Sequence, residues 1–160
     1  MQYDPPLGIL GGTFDPIHNG HIFPVLEAAQ KTNIHKVALM PCYLPSHKSP
    51  ATASSQQRLA MVEKICEEHA IFYPEPRDIH RKKPTYTVDS LTEFKDALPN
   101  TPLCFFMGTD SLLDIFNWHN WQTLFELCHF IVCNRKGDAV DKLNQQSPPL
   151  YKSCYKKNKR

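Results

Sequence analysis

The chain has 160 residues, a length that fits one domain with one hydrophobic core. Hydrophobic residues make up 41% and charged residues 21%, as in ordinary globular domains, and the net charge of +2 is too small for the strong positive field of a nucleic-acid-binding protein. No apolar run approaches the roughly 20 residues that span a bilayer, and no signal peptide is predicted at the N-terminus.

Strands and helices are predicted to alternate along the chain. Short apolar runs predict five strands, at residues 7–10, 36–40, 70–73, 103–108 and 129–134. Apolar positions at helical spacing predict helices at 21–31, 54–69 and 87–98, with Ser54 and Thr87 as N-terminal caps. Two short helices are predicted at 110–116 and 121–128, and an extended piece is predicted at 77–82.

This alternation is typical of βαβ units. It predicts an α/β fold, a Rossmann-like and mainly parallel sheet of about five strands with helices on both faces. Ligands of such sheets bind beyond the carboxyl ends of the strands. Residues 1–137 are predicted to form this domain, and residues 138–160 a polar, basic C-terminal tail that is truncated or disordered.

The six cysteines indicate the redox compartment. They form no C-x-x-C motif, and Cys104 and Cys133 lie inside apolar runs. This pattern is typical of reduced, packed thiols. The sequence therefore predicts a cytoplasmic protein.

The stretch GGTFDPIHNGH, residues 11–21, follows the first predicted strand. Gly11 and Gly12 permit close backbone approach and unusual φ angles, and Thr13 and Phe14 then present backbone N–H groups to an anion. The helix that begins near residue 20 adds further N–H groups and the positive end of its dipole. The stretch matches neither the P-loop nor the dinucleotide-binding glycine pattern. We interpret it as a site for the phosphates of a nucleotide.

His18 and His21 are three residues apart at this helix start. The spacing places both imidazoles on one side of the helix, near the same anion. Two other interpretations are a pair of turn histidines satisfied by the backbone, and a zinc site, for which no third ligand lies nearby in the sequence.

Four motifs together carry a family resemblance: GGTFDPIHNGH, PSHKSP (45–50), PTYTVDSL (84–91) and MGTDSLLDIFNWHNW (107–121). The first resembles the signature of the nucleotidyltransferase superfamily with an H-x-G-H motif. All four together are similar to bacterial nicotinate-nucleotide adenylyltransferases. The matching segments extend from about residue 8 to residue 137, most of the chain.

The resemblance implies transfer of an adenylyl group from ATP to nicotinate mononucleotide, a step of NAD biosynthesis that gives deamido-NAD and pyrophosphate. The phosphate oxygen of the mononucleotide attacks the α-phosphorus of ATP, so no nucleophilic side chain is needed. Mg²⁺ is implied through the phosphates of ATP, with no metal site on the chain itself. ATP and nicotinate mononucleotide are the expected partners, nucleic acid and membranes are not, and a homo-oligomer is left open.

The resemblance also assigns roles to residues of this chain. It implies catalytic, charge-stabilising roles for His18 and His21. The ATP-binding residues are Gly11, Gly12, Thr13, Phe14, Lys48, Gly108 and Asp110. The mononucleotide-binding residues are His47, Tyr86, Thr87, Trp118 and Arg135. Structural roles are the alternatives: Asp110 as a helix cap, which is compatible with ligand binding, Lys48 as a solvated loop lysine and Trp118 as a core side chain.

The chain departs from the family pattern in two places. Cys42 stands where the family commonly has asparagine, which weakens one substrate contact or moves it to Tyr43. The I-S-S-T-x-I-R-like segment that follows the fifth strand in the family is also missing. Two alternatives therefore remain: a truncated relative that is inactive or only binds a nucleotide, and an adenylyltransferase for another acceptor such as phosphopantetheine.

Overall fold

The computed structural model describes residues 3–45 and 49–134. Its main feature is a five-stranded sheet, and every strand pair in this sheet is parallel. The strands are, in chain order, β1 (Leu7–Gly12), β2 (Val37–Pro41), β4 (Phe72–Pro74), β6 (Leu103–Gly108) and β7 (His129–Cys133). They lie across the sheet in the order β4-β2-β1-β6-β7. The predicted α/β fold with a parallel sheet of five strands is confirmed.

Six α-helices and one 3₁₀ turn connect these strands within the described residues. The helices are α1 (Asn19–Lys31), α2 (Ser55–Glu68), α3 (Arg77–Arg81), α4 (Thr87–Ala97), α5 (Thr109–Asp114) and α6 (Trp121–Leu127), and the 3₁₀ turn is Ile115–Asn117. Ser54 caps α2 as predicted, because its side chain accepts a hydrogen bond from the backbone N–H of Gln57.

Two predictions about local structure are wrong. Residues 77–82, expected to be extended, contain helix α3, where Arg81 pairs with Asp78 one turn earlier at 3.0 Å and Lys82 ends the helix at φ 53°. Thr87, expected to be a cap, is the first residue of α4, and Tyr86 precedes it in extended conformation. A two-stranded parallel sheet of β3 (Leu44–Pro45) and β5 (Pro84–Thr85) was not predicted, because strands this short carry no periodicity.

The core has one layer on each face of the sheet. Along β2, Ala38 and Met40 point to one face, whereas Val37 and Leu39 point to the other, and all four are buried. Helices α1 and α2 cover the face of Val37, and α4, α5 and α6 cover the face of Ala38. Strands buried on both faces explain the continuous apolar runs in the sequence.

Asp15 joins the segment after β1 to the segment before α2. Its carboxylate accepts hydrogen bonds from the backbone N–H groups of Thr52, at 2.6 Å, and Ala53, at 3.0 Å. These two bonds, with a smaller contribution from the charge of Arg58, hold the pKa of Asp15 below its usual value. The two segments are therefore joined by a contact that needs an ionised carboxylate.

Within residues 3–45 and 49–134, no helix is long and apolar enough to cross a membrane.

We expect Gly8→Ala to destabilise the fold. A Cβ at this position of β1 would lie 2.7 Å from the ring of Phe106 and 2.8 Å from a methyl group of Val37, so the core would be overpacked. Such overpacking costs about 1–3 kcal/mol of unfolding free energy, measurable by urea denaturation. Gly108→Ala is the control, because no atom of residues 3–45 or 49–134 lies within 4 Å of its added Cβ. Equal unfolding midpoints for the two variants would contradict the packing described for β1.

We expect Asp15→Asn to lower stability in a pH-dependent way. The pKa of Asp15 is lower in the folded than in the unfolded chain. The carboxylate therefore adds to the free energy of unfolding at pH values above about 3.8, its usual pKa, and this stabilisation is lost as the pH falls through the pKa of the folded chain. Urea midpoints of the wild type and the variant should therefore differ near pH 7 and converge towards about pH 2. Asp96→Asn, at an exposed position of α4, controls for loss of one negative charge. A constant difference at every pH would contradict this interpretation.

Candidate active site

A cavity of about 880 Å³ lies at the carboxyl ends of the central strands. Gly12 and Gly108, which end β1 and β6, lie on its wall, as does Met40 of β2. The strand order changes direction between β1 and β6, since β2 and β4 follow on one side and β7 on the other. The cavity thus occupies the switch point where open α/β sheets bind ligands.

The two histidines meet at the start of α1. His18 occupies the N-cap position, and its Nδ1 accepts a hydrogen bond from the backbone N–H of Gly20 at 3.1 Å. The backbone N–H of His18 in turn donates to Nδ1 of His21 at 3.1 Å. The ring centroids are 3.9 Å apart, and both rings line the cavity. Reciprocal capping therefore brings the imidazoles together, as their spacing predicted.

This capping assigns the tautomer of both rings. An Nδ1 that accepts a backbone hydrogen bond carries no proton, so the neutral ring has its proton on Nε2. Nε2 is then a hydrogen-bond donor without any need for ring protonation. Gly20 is part of the arrangement, because a Cβ there would lie 2.9 Å from the His18 ring. The helix start therefore holds two imidazoles, each with its Nε2 as a donor.

Most of the predicted site residues lie on this one cavity. The residues that line it are Gly11, Gly12, Thr13, Phe14, His18, His21, Tyr86, Thr87, Gly108, Asp110 and Trp118. His47, Lys48 and Arg135 lie outside the described residues, as does the tail at 138–160. Segments far apart in the sequence thus meet at one site, while the chemical role of each residue stays a prediction.

The turn after β1 differs from expectation in one respect. Gly11 and Gly12 belong to β1, and the left-handed residue is Phe14, at φ 53°. Glycine at position 12 is needed for another reason: a Cβ there would lie 2.8 Å from the Phe14 ring. That ring is buried and meets the ring of His21 edge-on at 5.3 Å. The turn is therefore held in an uncommon backbone conformation by a buried aromatic side chain.

Arg58 supports the same turn from below and was not predicted as a site residue. It is only 1% exposed, and it donates to the backbone carbonyls of Thr13, Tyr43 and Ala53 at 2.7, 3.0 and 3.3 Å. One signal was present in the sequence: Arg58 lies one helical turn before the core residue Val62, on the same side of α2. A cation at a core position indicates that hydrogen-bond acceptors surround it, because an unpaired buried charge is strongly unfavourable.

The opposite end of the cavity is aromatic. Trp118 meets the ring of Phe105 edge-on at 6.3 Å and packs partly on the core, so it has both a structural contact and a face on the cavity. The rings of Tyr86 and His119 are 4.7 Å apart. Thr87 begins α4; the N–H groups of Asp89 and Ser90 donate to the Tyr86 carbonyl, so the first-turn N–H groups without an acceptor in the helix are those of Thr87 and Val88. This end combines flat apolar surfaces with backbone donors.

Asp110 does not cap a helix in the way the sequence suggested. Helix α5 begins one residue earlier, at Thr109, with Gly108 at its N-cap position. Asp110 is exposed in the first turn, where a carboxylate is favoured by the helix dipole, and it lies on the cavity wall. Its carboxylate is therefore available to a ligand.

Asp78 is a buried carboxylate on the cavity wall that the sequence did not single out. Its Oδ1 accepts hydrogen bonds from Ser90, at 2.6 Å, and Arg81, at 3.0 Å, while its buried Oδ2 has no hydrogen-bond partner among the residues that the structure describes. Burial raises the pKa of Asp78, although the hydrogen bond from Ser90 and the charge of Arg81 act in the opposite direction. Through Ser90, the carboxylate ties α4 to α3.

Cys42 lies on the cavity, where its thiol is 3.7 Å from the hydroxyl of Thr13. The neighbouring Tyr43 is not among the residues that line the cavity, and its backbone is taken up by Arg58 and by the hydroxyl of Thr85, 3.2 Å away. The structure therefore gives no support for a contact moved to Tyr43. Among the described residues, no group of three or more His, Cys, Asp or Glu side chains is arranged to hold a metal ion.

Several curated proteins of similar sequence share one name, "Probable nicotinate-nucleotide adenylyltransferase". The protein of Pseudoalteromonas atlantica is 46% identical over 133 residues, which are 83% of this chain and 61% of that protein. The protein of Aeromonas hydrophila is 47% identical over 137 residues, 86% of this chain and 64% of that protein. The chain thus spans a little over three fifths of the length of these relatives.

Solved structures share the fold. A Plasmodium falciparum nicotinic acid mononucleotide adenylyltransferase complexed with NaAD superposes with a TM-score of 0.75 at 24% identity, over 91% of this chain and 72% of that chain. A putative nicotinate-nucleotide adenylyltransferase from Vibrio parahaemolyticus gives a TM-score of 0.68 at 17% identity, over 88% and 80%.

The sequence pattern of one protein family covers nearly the whole chain. The pattern, described as cytidylyltransferase-like, matches residues 9–159. The resemblance inferred from the four motifs is therefore confirmed at the level of the family: this chain belongs to the cytidylyltransferase-like family.

Proposed function

We propose that this chain transfers the adenylyl group of ATP to nicotinate mononucleotide, releasing pyrophosphate and forming deamido-NAD. The observation that carries the proposal is the pair of capped imidazoles on the cavity wall, with ring centroids 3.9 Å apart at the N-terminus of a 13-residue helix. This end of the cavity suits the phosphates of ATP, because imidazole donors, backbone donors and the helix dipole all favour negative charge.

The relatives support the choice of substrates. Curated proteins more than 40% identical to this chain carry the name of nicotinate-nucleotide adenylyltransferase. Related folds have been solved with NaAD and with APC bound. The aromatic end of the cavity, with Trp118 and Tyr86, suits a pyridine ring, because flat aromatic rings can stack on one another.

The reaction needs positioning and charge stabilisation more than a reactive side chain. A phosphate oxygen of the mononucleotide attacks the α-phosphorus of ATP, and the bond from that phosphorus to the pyrophosphate oxygen breaks. Negative charge grows on the oxygens around phosphorus and on the leaving group. His18 and His21 would donate hydrogen bonds to these oxygens through Nε2, and Thr13 and Phe14 would add backbone N–H groups.

We propose that Mg²⁺ enters the cavity as part of the Mg·ATP complex, bound by phosphate oxygens and water. The donors that line the phosphate end are N–H groups and imidazoles, which complement phosphate oxygens rather than a cation. The chain would therefore hold the anionic side of this complex.

The start of α4 is the proposed site of acid recognition. N–H groups in the first helical turn, near Thr87, would bind the carboxylate of nicotinate, with the helix dipole adding to the attraction. A carboxamide would turn its NH₂ group towards the same donors or lose one hydrogen bond. We therefore expect a preference for the acid over the amide.

Two alternatives are tested by one set of assays. Because the chain spans only 61% of the P. atlantica relative, a protein that only binds a nucleotide is the first alternative, and an acceptor such as phosphopantetheine is the second. Pyrophosphate release with ATP and nicotinate mononucleotide, compared with nicotinamide mononucleotide and phosphopantetheine, distinguishes all three. ATP binding without pyrophosphate release would support the first alternative.

We also propose a cytoplasmic location. Cys42, Cys66, Cys104, Cys128 and Cys133 are all free thiols. Three of them, Cys42, Cys104 and Cys128, are buried, and free cysteines of this kind are typical of proteins kept in a reducing compartment.

We expect His18→Ala to lower the rate of pyrophosphate release by at least about 100-fold, because a donor to the transferred phosphoryl group is removed. The same change removes the cap of α1 and costs about 0.5–2 kcal/mol of stability. His18→Asn separates the two effects, since an amide oxygen can accept the Gly20 hydrogen bond but has no imidazole donor. Stability should recover in His18→Asn and turnover should not. Full activity in either variant would remove His18 from the mechanism.

We expect Trp118→Ala to raise the KM for nicotinate mononucleotide by about tenfold and the KM for ATP by much less, because stacking on a flat aromatic ring is lost. Trp118→Phe keeps a ring and the edge-on packing with Phe105, so it should recover most of the affinity. Steady-state kinetics with each substrate varied in turn gives both constants. An equal rise of both KM values in Trp118→Ala would indicate a purely structural role.

A further inference from the structure

Arg58 is a fully buried cation whose acceptors lie in three different segments. Its guanidinium donates to the carbonyls of Thr13, in the turn after β1, Tyr43, in the loop after β2, and Ala53, before α2. No carboxylate of the described residues lies within ion-pair distance of it. Burying a charge is energetically unfavourable unless the charged group is hydrogen-bonded. Because the partners of Arg58 are backbone carbonyls, its hydrogen bonds fix the conformation of the backbone in these three segments.

The direction of two carbonyls determines where two N–H groups point. In a planar trans peptide the C=O and the N–H point in opposite directions. The Thr13 carbonyl is held by Arg58, so the N–H of Phe14 points away from the guanidinium. The Gly12 carbonyl accepts the N–H of Cys42 at 2.9 Å, so the N–H of Thr13 points away from β2.

Neither N–H group has an acceptor among the residues that the structure describes. Thr13 and Phe14 both line the cavity. Two successive N–H groups that remain unpaired beside a left-handed residue form a concave donor site of the kind that binds phosphate oxygens. The turn therefore has the shape of an anion site. This shape depends on the hydrogen bonds that orient the carbonyls of Gly12 and Thr13.

We propose that Arg58 is a positioning residue for ATP binding: it holds the Thr13 carbonyl beneath the cavity and thereby keeps the N–H group of Phe14 available to phosphate, next to the N–H group of Thr13. The part about ATP rests on the function proposed above. Arg58 touches no substrate in this arrangement and acts through the turn.

Arginine is suited to this task, and lysine is not. The guanidinium is a planar fork whose Nη1, Nη2 and Nε each donate to a different segment. An ammonium group is a single point at the end of a flexible stem, so it cannot reach three separate carbonyls at the same distances. Arg58→Lys keeps the charge and loses the geometry.

The experiment compares Arg58→Lys and Arg58→Gln with Arg77→Lys. Arg77 is a matched control, because it is also largely buried, lies over the ring of Phe94 and does not line the cavity. Thermal melting monitors the fold of each variant. Calorimetry gives the Kd of ATP and of nicotinate mononucleotide, each without the other, and amide NMR reports the environments of Thr13 and Phe14 in the ligand-free protein.

We expect both Arg58 variants to raise the Kd of ATP at least tenfold and to change the Kd of the mononucleotide less than twofold. Their ligand-free spectra should show large shifts at Thr13 and Phe14. Arg77→Lys should lower the melting temperature and leave the Kd of ATP within twofold of the wild type. Unchanged ATP affinity in folded Arg58→Lys, or equal losses for both ligands, would overturn the proposal.

Two further measurements keep the inference separate from the proposed function. If the wild type binds no ATP, the proposed function is wrong. The positioning role is then judged from the ligand-free spectra alone, and unchanged Thr13 and Phe14 signals in the Arg58 variants would overturn it. If both Arg58 variants fail to fold, amide exchange in the wild type decides. Inorganic triphosphate should slow exchange at Thr13 and Phe14, and unaltered exchange would overturn the proposal.

Discussion

The parallel pairing of β1 with both β2 and β6 is the constraint on which the cavity depends. Parallel strands bring their carboxyl ends to one edge of the sheet, so the segments that follow β1, β2 and β6 begin side by side. The turn at Thr13, the loop at Cys42 and the helix start at Thr109 meet there. Without this pairing, the same motifs would lie far apart.

Much of this arrangement is readable in the sequence, because its signals are local. Strands buried on both faces give continuous apolar runs, as in residues 103–108. Ser54 indicates the start of a helix, because serine is a favoured N-cap residue. The histidine pair follows from a spacing of three at a helix start. Eleven predicted site residues line one cavity, because each motif ends a strand or begins a helix.

The missed features depend on contacts between distant segments. Arg58 has its acceptors 15 and 45 residues away in Tyr43 and Thr13, and no local pattern reports such distances. Helix α3 has too few apolar positions to show a period, and its Asp78 is anchored by Ser90, 12 residues later. The left-handed turn residue was expected to be glycine, whereas the buried ring of Phe14 stabilises that conformation instead.

The small sheet of β3 and β5 has a mechanical consequence. Leu44 pairs with Pro84 and Pro45 with Thr85, so the loop after β2 and the lead-in to α4 form one ribbon along the rim. Pro45 and Thr85 both border the cavity. A force on either strand of this ribbon is therefore transmitted to the other through their backbone pairing.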